Sequence, residues 1–153
     1  MLRDVRTLDR KIAGLNGRIE AEVEASGTTL TEIFGIGPIP AARIIGTVGD
    51  VARFPTKAHF ASYCGTAPVE ASSGQAVRHR LSLAGNRKLN YALLHMVAVC
   101  QARSDARGGA YYRKKIAEGK SRKEALRCLK RRISDAVFRS FVADSQAHSR
   151  SAA

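Results

Sequence analysis

Tryptophan is absent from this chain of 153 residues, aromatic residues make up only 6% of it, and acidic residues number 13 against 26 Lys and Arg. No run approaches the roughly 18 uncharged apolar residues of a membrane span, because the best candidate, 89–100, contains Asn90 and His95. The first residues also lack the apolar stretch of a secretion signal. We therefore expect a chain that is neither secreted nor bound to a membrane, with a cytoplasmic location.

Cysteine is scarce as well, with three residues, Cys64, Cys100 and Cys128. They are widely spaced, and no C-x-x-C pair or His/Cys cluster accompanies them, which argues against a zinc site or a disulfide framework. Their neighbours are apolar, so we interpret all three as small buried side chains in a reducing compartment. We expect no metal or other cofactor bound by this chain itself.

The excess positive charge lies in the second half. Residues 1–76 hold eight Lys and Arg and eight Asp and Glu, whereas residues 77–153 hold eighteen and five, so the net charge of +13 comes from the latter. Such an asymmetry indicates a surface that binds a polyanion. We favour nucleic acid over a face that merely keeps the protein soluble, because the excess is large for the length. A membrane surface is disfavoured, since no bulky aromatic face accompanies the cations.

Residues 2–24 carry the pattern of one long amphipathic helix. Apolar residues recur at spacings of three or four, at Val5, Leu8, Ile12, Leu15, Ile19 and Val23. The pattern predicts a coiled-coil-like arm over 1–26, through which the chain would form a homo-oligomer. A helix docked on its own domain explains the stripe equally well, and either alternative needs a partner surface.

Residues 28–50 predict a helix-hairpin-helix. A short apolar helix runs into the turn Gly35-Ile36-Gly37-Pro38, and a second helix follows. The turn needs glycine because only glycine adopts a positive φ at little cost. The uncovered backbone N–H groups at Gly35 and Gly37, with the partial positive charge of the next helix N-terminus, suit a phosphate. The alternative is that this turn serves plain helix packing.

Local signals predict helices for most of the remaining chain. Thr56 and Asn86 are candidate N-caps, and Ser121 with Glu124 forms a capping box that opens the last helix. The helix after Asn86 is expected to reach about Arg103, with an apolar face directed inward.

The predicted fold class is therefore all-α. The segment 66–85, rich in Gly, Ser, Ala and Pro, is interpreted as an irregular loop with room for a short hairpin. The helical domain is expected to cover 27–144, and the polar tail 145–153 to be disordered.

Several short motifs follow one another in a specific order. They are G-I-G-P-I-P-A-A, D-V-A-R-F-P-T, F-A-S-Y-C-G-T-A-P, S-S-G, A-G-N-R-K-L and Y-Y-R-K-K, within 28–142. The series resembles the C-terminal domain of the 110/116/902 class of insertion-sequence transposases, which are relatives of the Piv invertase. Some members of this class are guided by a bridge RNA. The resemblance implies DNA as a partner, a guide RNA as a further candidate partner, and association with the nucleoid.

The resemblance also implies how the chemistry is divided. In this class an N-terminal RuvC-like domain supplies carboxylates that bind a divalent metal such as Mg²⁺, and the C-terminal domain supplies a serine that attacks a DNA phosphate. The serine of the family's S-G motif corresponds to Ser73, directly before Gly74. Serine is a weak nucleophile that needs activation, and an anionic phosphodiester needs charge neutralisation. The alternative is that Ser72-Ser73-Gly74 forms an ordinary flexible loop.

Basic side chains near that motif and in the last third are candidate phosphate contacts. Those close to the motif are Arg78, Arg80, Arg87 and Lys88. Those in the densest positive stretch are Arg113, Lys114, Lys115, Lys123, Arg127 and Arg131. Tyr111 and Tyr112 lie beside this stretch and offer stacking faces, unless they belong to the core.

The sequence departs from the family pattern at three points. No segment resembles the RuvC-like domain, so we expect a truncated transposase, or a split one that needs this domain in trans and is inactive alone. Leu83 stands where relatives commonly have Lys, and Asn90 where an Arg often follows, which weakens phosphate contacts there. Two alternatives stay open, namely a non-enzymatic helix-hairpin-helix module that binds nucleic-acid backbones and a decayed gene remnant that folds poorly.

Overall fold

The computed structural model describes residues 2–73, 76–81 and 85–151, with the backbone alone described for 2, 69–73, 76–81, 92 and 93. Helices make up most of this part, so the predicted all-α class is confirmed. They are α1 (Leu2–Ala25), α2 (Pro38–Val48), α3 (Lys57–Tyr63), a π-helical segment (Lys88–His95), α4 (Met96–Ala102), α5 (Arg107–Ala117) and α6 (Arg122–Ser151). Single turns of 3₁₀ helix lie at Thr29–Glu32 and Val51–Arg53. None of the described helices is both long and apolar enough to cross a membrane.

A two-stranded antiparallel hairpin interrupts the helical order. It consists of β1 (Pro68–Ser73) and β2 (Ala76–Leu81), paired from Pro68↔Leu81 to Ser73↔Ala76. The hairpin lies in the segment that the sequence predicts as an irregular loop with room for one. Its residues show no clear alternation of apolar and polar types, which is the usual signal of a strand.

Helix α6 is the central element of the core. It contacts α3, α4, α5, the π-helical segment and both 3₁₀ turns. Its buried apolar residues recur at a spacing of four, at Leu129, Ile133, Val137 and Phe141, as the sequence periodicity predicts. Leu30, Ile44 and Phe60 are fully buried around it.

The predicted caps are confirmed. The Thr56 hydroxyl accepts a hydrogen bond from the His59 N–H, and the Asn86 side chain accepts one from the Leu89 N–H. In the capping box, the Glu124 carboxylate accepts from the Ser121 N–H at 2.9 Å, and the Ser121 hydroxyl accepts from the Glu124 N–H at 3.4 Å.

The segment 28–50 differs from a helix-hairpin-helix with two full helices. Its first element is a single 3₁₀ turn of four residues, whereas its second is the full helix α2. The carboxylate of Asp144 determines where this turn begins, because it accepts hydrogen bonds from the Thr28 hydroxyl at 2.8 Å and from the Thr29 N–H at 3.1 Å. The sequence could not indicate these hydrogen bonds, since Asp144 and the two threonines are more than a hundred residues apart.

Helix α6 continues where the sequence predicts a disordered tail. It runs to Ser151, so 145–151 is helical. Asp144 is buried and bound to the 3₁₀ turn, which fixes the helix at that point. Beyond it, the His148 ring bonds the Asp144 carbonyl oxygen, and serine hydroxyls bond carbonyls four residues back.

Two of the cysteines are less buried than the sequence predicts. Cys64 is fully buried, but Cys100 is exposed and Cys128 is half-buried. Cys100 lies on α4 beside Gly35. A small apolar side chain is compatible with either position, so its type alone does not decide burial.

Most of the α1 stripe is uncovered. Val5, Leu8, Ile12 and Leu15 are each 54–57% exposed, whereas Val23 near the end of the helix is buried. The C-terminal half of α1 packs on α2. The docked-helix interpretation therefore holds only for that half.

Candidate nucleic-acid interface and serine site

Ser73 is the last residue of strand β1. Its backbone pairs with Ala76 at the turn end of the hairpin, while the Ser73 side chain and Gly74 lie outside the described residues. Arg78 and Arg80 lie on β2, paired with Ala71 and Val69, and their side chains also lie outside the described part. The backbone register thus brings the predicted nucleophile and two predicted phosphate contacts into one hairpin.

The two ends of the hairpin segment meet at a backbone contact between glycines. A Cβ atom placed on Gly85 would lie less than 3.0 Å from both the N and the Cα atoms of Gly65. Gly65 itself has a φ of 65°, a conformation that favours glycine. The Asn86 N–H donates to the Tyr63 carbonyl at 2.7 Å. We call this contact, together with the amide bonds described next, the base clamp, formed by residues 63–65, 85, 86, 90 and 130.

Asn90 completes the base clamp through its side-chain amide. Its Nδ2 donates to the carbonyl oxygens of Cys64 and Gly65, each at 2.8 Å, and its Oδ1 accepts a hydrogen bond from Lys130 Nζ. Asn86 adds a bond from its own Nδ2 to the Tyr63 hydroxyl at 3.2 Å. Asn90 is thus directed inward, where it joins the π-helical segment to the turn after α3. The sequence gives no sign of this role, because the partners are 25 and more residues away.

Burial controls the ionisation of two groups in the base clamp. Burial lowers the pKa of Lys130, which is only 7% exposed on α6. Burial raises the pKa of the Cys64 thiol to about 12, against a weaker opposing effect of the Arg131 charge. Cys64 is therefore neutral and unreactive at physiological pH, and α6 supplies a partly desolvated amine to the base of the hairpin.

The predicted phosphate contacts on α5 and α6 differ in how far they are engaged. Lys115 pairs with Glu118 and Arg131 with Asp135 at 3.1 Å. Arg113 is about half exposed, pairs with Asp105 at 3.7 Å and donates to the Ser104 carbonyl at 3.2 Å. The remaining members are exposed or half-buried: Lys114, Lys123 and Arg127. Exposed Lys114 and Lys123 can reach a polyanion without breaking an ion pair that the structure shows, whereas Arg113 would have to leave Asp105.

Tyr111 is not an open stacking face. Its ring lies 4.3 Å from the Arg132 guanidinium carbon and 5.4 Å from Lys115 Nζ, so two cations of this chain contact it. Tyr112 is half-buried and packs against the core. Tyr111 is likewise half-buried against the core, so the core alternative holds for both tyrosines, and Tyr111 in addition brings cations of α5 and α6 together.

Sequence reasoning missed a more exposed aromatic pair. Tyr91 is 73% exposed and stacks on His95, with ring centroids 5.4 Å apart and planes 7° from parallel. Both belong to the π-helical segment, directly after the exposed residues Arg87 and Lys88. The four-residue spacing of Tyr91 and His95 was the available signal, since it places both rings on one helical face.

The Gly35–Gly37 turn has fewer phosphate-binding groups than its sequence suggests. Gly35 has a φ of 88° and so requires glycine, whereas Gly37 has ordinary extended backbone and open space at its Cβ position. Pro38 and Pro40 occupy the first and third positions of α2 and carry no N–H. Among the first three residues of α2, Ile39 alone therefore has a backbone N–H to offer a phosphate.

The described residues do not supply a metal site. No group of three or more His, Cys, Asp or Glu side chains in that part is close enough to hold a metal ion. The carboxylates form hydrogen bonds and ion pairs of the fold instead, as Asp144 and Asp135 do.

Comparison with known proteins places this chain in a family of transposases. Residues 27–113 match the family described as Transposase IS116/IS110/IS902, and the chain belongs to this family. The matched region contains α2, α3, the hairpin, the π-helical segment and α4.

Three relatives give the same result. An insertion element IS110 protein of Streptomyces coelicolor is 38% identical over 124 residues, covering 78% of this chain and 30% of its own length. A probable family 20 transposase of Pseudomonas aeruginosa is 33% identical over 68% of this chain and 33% of its own. An insertion element IS116 protein of Streptomyces clavuligerus is 31% identical over 68% of this chain and 26% of its own. The chain thus spans about a third of the length of the relatives it matches.

Proposed function

We propose that this chain is the nucleic-acid-binding, serine-bearing domain of a transposase that acts in DNA transposition. The observation that carries the proposal is the hairpin of β1 and β2 in a chain that belongs to this family. Strand β1 ends at Ser73, and the base of the hairpin is fixed by a glycine contact and four side-chain hydrogen bonds. A fixed base restricts where the serine can move, and catalysis needs a reacting group held in position.

The proposed chemical step is a transfer of a phosphoryl group to serine. The Ser73 oxygen attacks the phosphorus of a DNA phosphodiester, and its proton passes to a base. One bridging P–O bond breaks, the departing sugar oxygen takes up a proton, and the DNA strand becomes joined to the protein by a phosphoserine ester. Arg78, Arg80 and the exposed cations Arg87 and Lys88 would balance the charge of the phosphate.

A RuvC-like domain, supplied in trans or by another part of a longer protein, would complete the site. Since the described residues offer no cluster of metal ligands, we assign the carboxylates and the bound Mg²⁺ to that domain. When bound, the metal would assist loss of the serine proton and stabilise the developing negative charge. This chain alone should bind nucleic acid without cleaving it.

Helix α1 is proposed to join two copies of the chain. Four apolar residues in its first four turns are more than half exposed and follow the spacing of a coiled-coil seam. The other candidate partners are DNA and a guide RNA. Both are polyanions that suit the positive surface of the second half.

Salt dependence tests the nucleic-acid part of the proposal. If about six phosphates are neutralised, a plot of log affinity against log salt should have a slope of about −5 on duplex DNA. Fluorescence anisotropy of a labelled duplex and a labelled structured RNA, measured over a range of salt, gives both slopes. An absence of saturable binding to either at low salt would refute the proposal.

Adduct formation tests Ser73. The chain is mixed with the RuvC-like domain of a full-length relative, Mg²⁺ and end-labelled insertion-element DNA, and covalent complexes are separated on a denaturing gel. We expect an adduct with the wild type and with Ser72→Ala, and none with Ser73→Ala, which should still bind. Binding without any adduct under these conditions would instead favour a non-enzymatic nucleic-acid-binding module.

A further inference from the structure

The ring of Tyr91 is an unusual surface feature of this chain. At 73% exposure it is more accessible than any other large apolar or aromatic side chain that the structure describes. A side chain of this size normally buries at least part of its ring against the core. Tyr91 instead has its ring stacked on His95, and most of the side chain is open to solvent.

The stack on His95 fixes the orientation of the Tyr91 ring. The two planes are 7° from parallel and the centroids 5.4 Å apart, which is an offset stack. His95 is itself half-buried at the end of the π-helical segment and so provides a firm support. An aromatic ring that is oriented before binding loses little conformational freedom when a flat ligand stacks on it.

The charges along this segment select the ligand. Arg87 lies one turn before Tyr91 and, like Lys88, is exposed. Four residues are about one helical turn, so a base on Tyr91 and a phosphate at Arg87 can belong to neighbouring nucleotides of one strand. The sequence contains no Asp or Glu between Glu70 and Asp105, so no acidic residue of this segment would repel a phosphate.

We propose that Tyr91, supported by His95, stacks an unpaired base of a nucleic-acid strand while Arg87 and Lys88 hold its neighbouring phosphates. This inference rests on the proposed function and deepens it, because it assigns recognition of single-stranded regions to the π-helical segment, next to cations already proposed to hold phosphates. Aromatic stacking accepts any base, so the site recognises strand opening and not sequence. An apolar protein partner would use Tyr91 but gain little from the adjacent cations.

Because the chain contains no tryptophan, stacking on residue 91 can be tested directly by fluorescence. Tyr91→Trp introduces the only tryptophan of the chain, and its fluorescence reports stacking. We expect quenching by single-stranded DNA or RNA at concentrations where a duplex of the same sequence quenches much less. Separate titrations with a single-stranded DNA and a single-stranded RNA distinguish the two sources of the unpaired base.

Affinity measurements complete the test. Tyr91→Ala should weaken binding to a single strand by on the order of tenfold and change duplex binding less than twofold. Tyr91→Phe should retain wild-type affinity because it keeps the ring. Met96→Ala is the matched control, since Met96 is a 61% exposed neighbour without a ring and its loss should have no effect.

The outcomes separate this inference from the proposed function. If the wild type binds a duplex with the expected salt slope but Tyr91→Ala affects neither strand form, or both equally, the stacking site is refuted and the proposed function stands. If Tyr91→Ala changes the oligomeric mass and leaves nucleic-acid binding intact, Tyr91 is a protein contact and the inference fails. If the wild type binds no nucleic acid, the proposed function fails as well.

Discussion

Replacement of Gly85 by alanine tests the base clamp most severely. A Cβ at this position would lie within 3.0 Å of two backbone atoms of Gly65 and 3.1 Å from the carbonyl carbon of Cys64. Backbone atoms cannot rotate away as the end of a side chain can, so the two segments must separate. Overpacking of this kind costs about 1–3 kcal/mol. The weakened Asn86–Tyr63 hydrogen bond adds about 1 kcal/mol.

The expected total for Gly85→Ala is therefore a loss of about 2–4 kcal/mol in the free energy of unfolding, a decrease in Tm on the order of 10 °C for a chain of this size. Urea and thermal unfolding followed by circular dichroism measure it. Gly17→Ala is the matched control. Gly17 lies in exposed helix α1 with nothing within 4 Å of its Cβ position, so alanine should stabilise by up to ~1 kcal/mol. A Gly85→Ala protein within 0.5 kcal/mol of the wild type would refute the base clamp.

Three further predictions concern other parts of the chain. Asp144→Ala should lower the free energy of unfolding by about 2–4 kcal/mol in urea titrations, because its carboxylate accepts hydrogen bonds from two consecutive threonines; an unchanged midpoint would contradict this. A thiol reagent at pH 8 should label exposed Cys100 rapidly and Cys64 only after unfolding. Equal labelling rates for the two thiols would refute burial as the cause of the raised pKa of Cys64. Because this pKa rises from 9.0 in the unfolded chain to about 12 in the folded protein, the contribution of Cys64 to stability is complete below pH 9 and is lost as the pH rises from 9 to 12. In sedimentation experiments we expect the wild type to be a dimer through α1 and Leu8→Glu to be a monomer, whereas Thr7→Glu, off the stripe, should keep the dimer mass.

The elements that the sequence predicts well depend on local information. The apolar period of α6 and the caps at Thr56, Asn86 and Ser121 all involve residues within a few positions of one another, and each is confirmed. The all-α class follows from the sum of such signals.

The elements that the sequence does not predict depend on distant partners. The 3₁₀ turn after Thr28 and the helical continuation past Asp144 stabilise each other across more than a hundred residues. The base of the hairpin likewise involves Asn90 and a glycine contact between 65 and 85, whereas local composition indicates an irregular loop with room for a short hairpin and no register. Long-range contacts of this kind produce no periodic pattern in the sequence.

The candidate site contains residues that the sequence predicts and residues whose role depends on distant contacts. Ser73 was predicted through the resemblance to a family, and its role stays a prediction because its side chain lies outside the described residues. Asn90 was interpreted as a lost phosphate contact, whereas the structure directs its amide inward to the base clamp. Tyr91 was missed because exposure is decided by packing, and the sequence shows only its spacing from His95.

Mass spectrometry of the protein–DNA adduct tests the central claim most directly. Trypsin should release residues 58–78 as one peptide that carries both Ser72 and Ser73. After nuclease digestion of the DNA, fragmentation of this peptide locates the nucleotide remnant. The account predicts the remnant on Ser73 alone, in a sample that contains the RuvC-like domain and Mg²⁺. A remnant on Ser72, on a tyrosine or on any residue outside this peptide would contradict it.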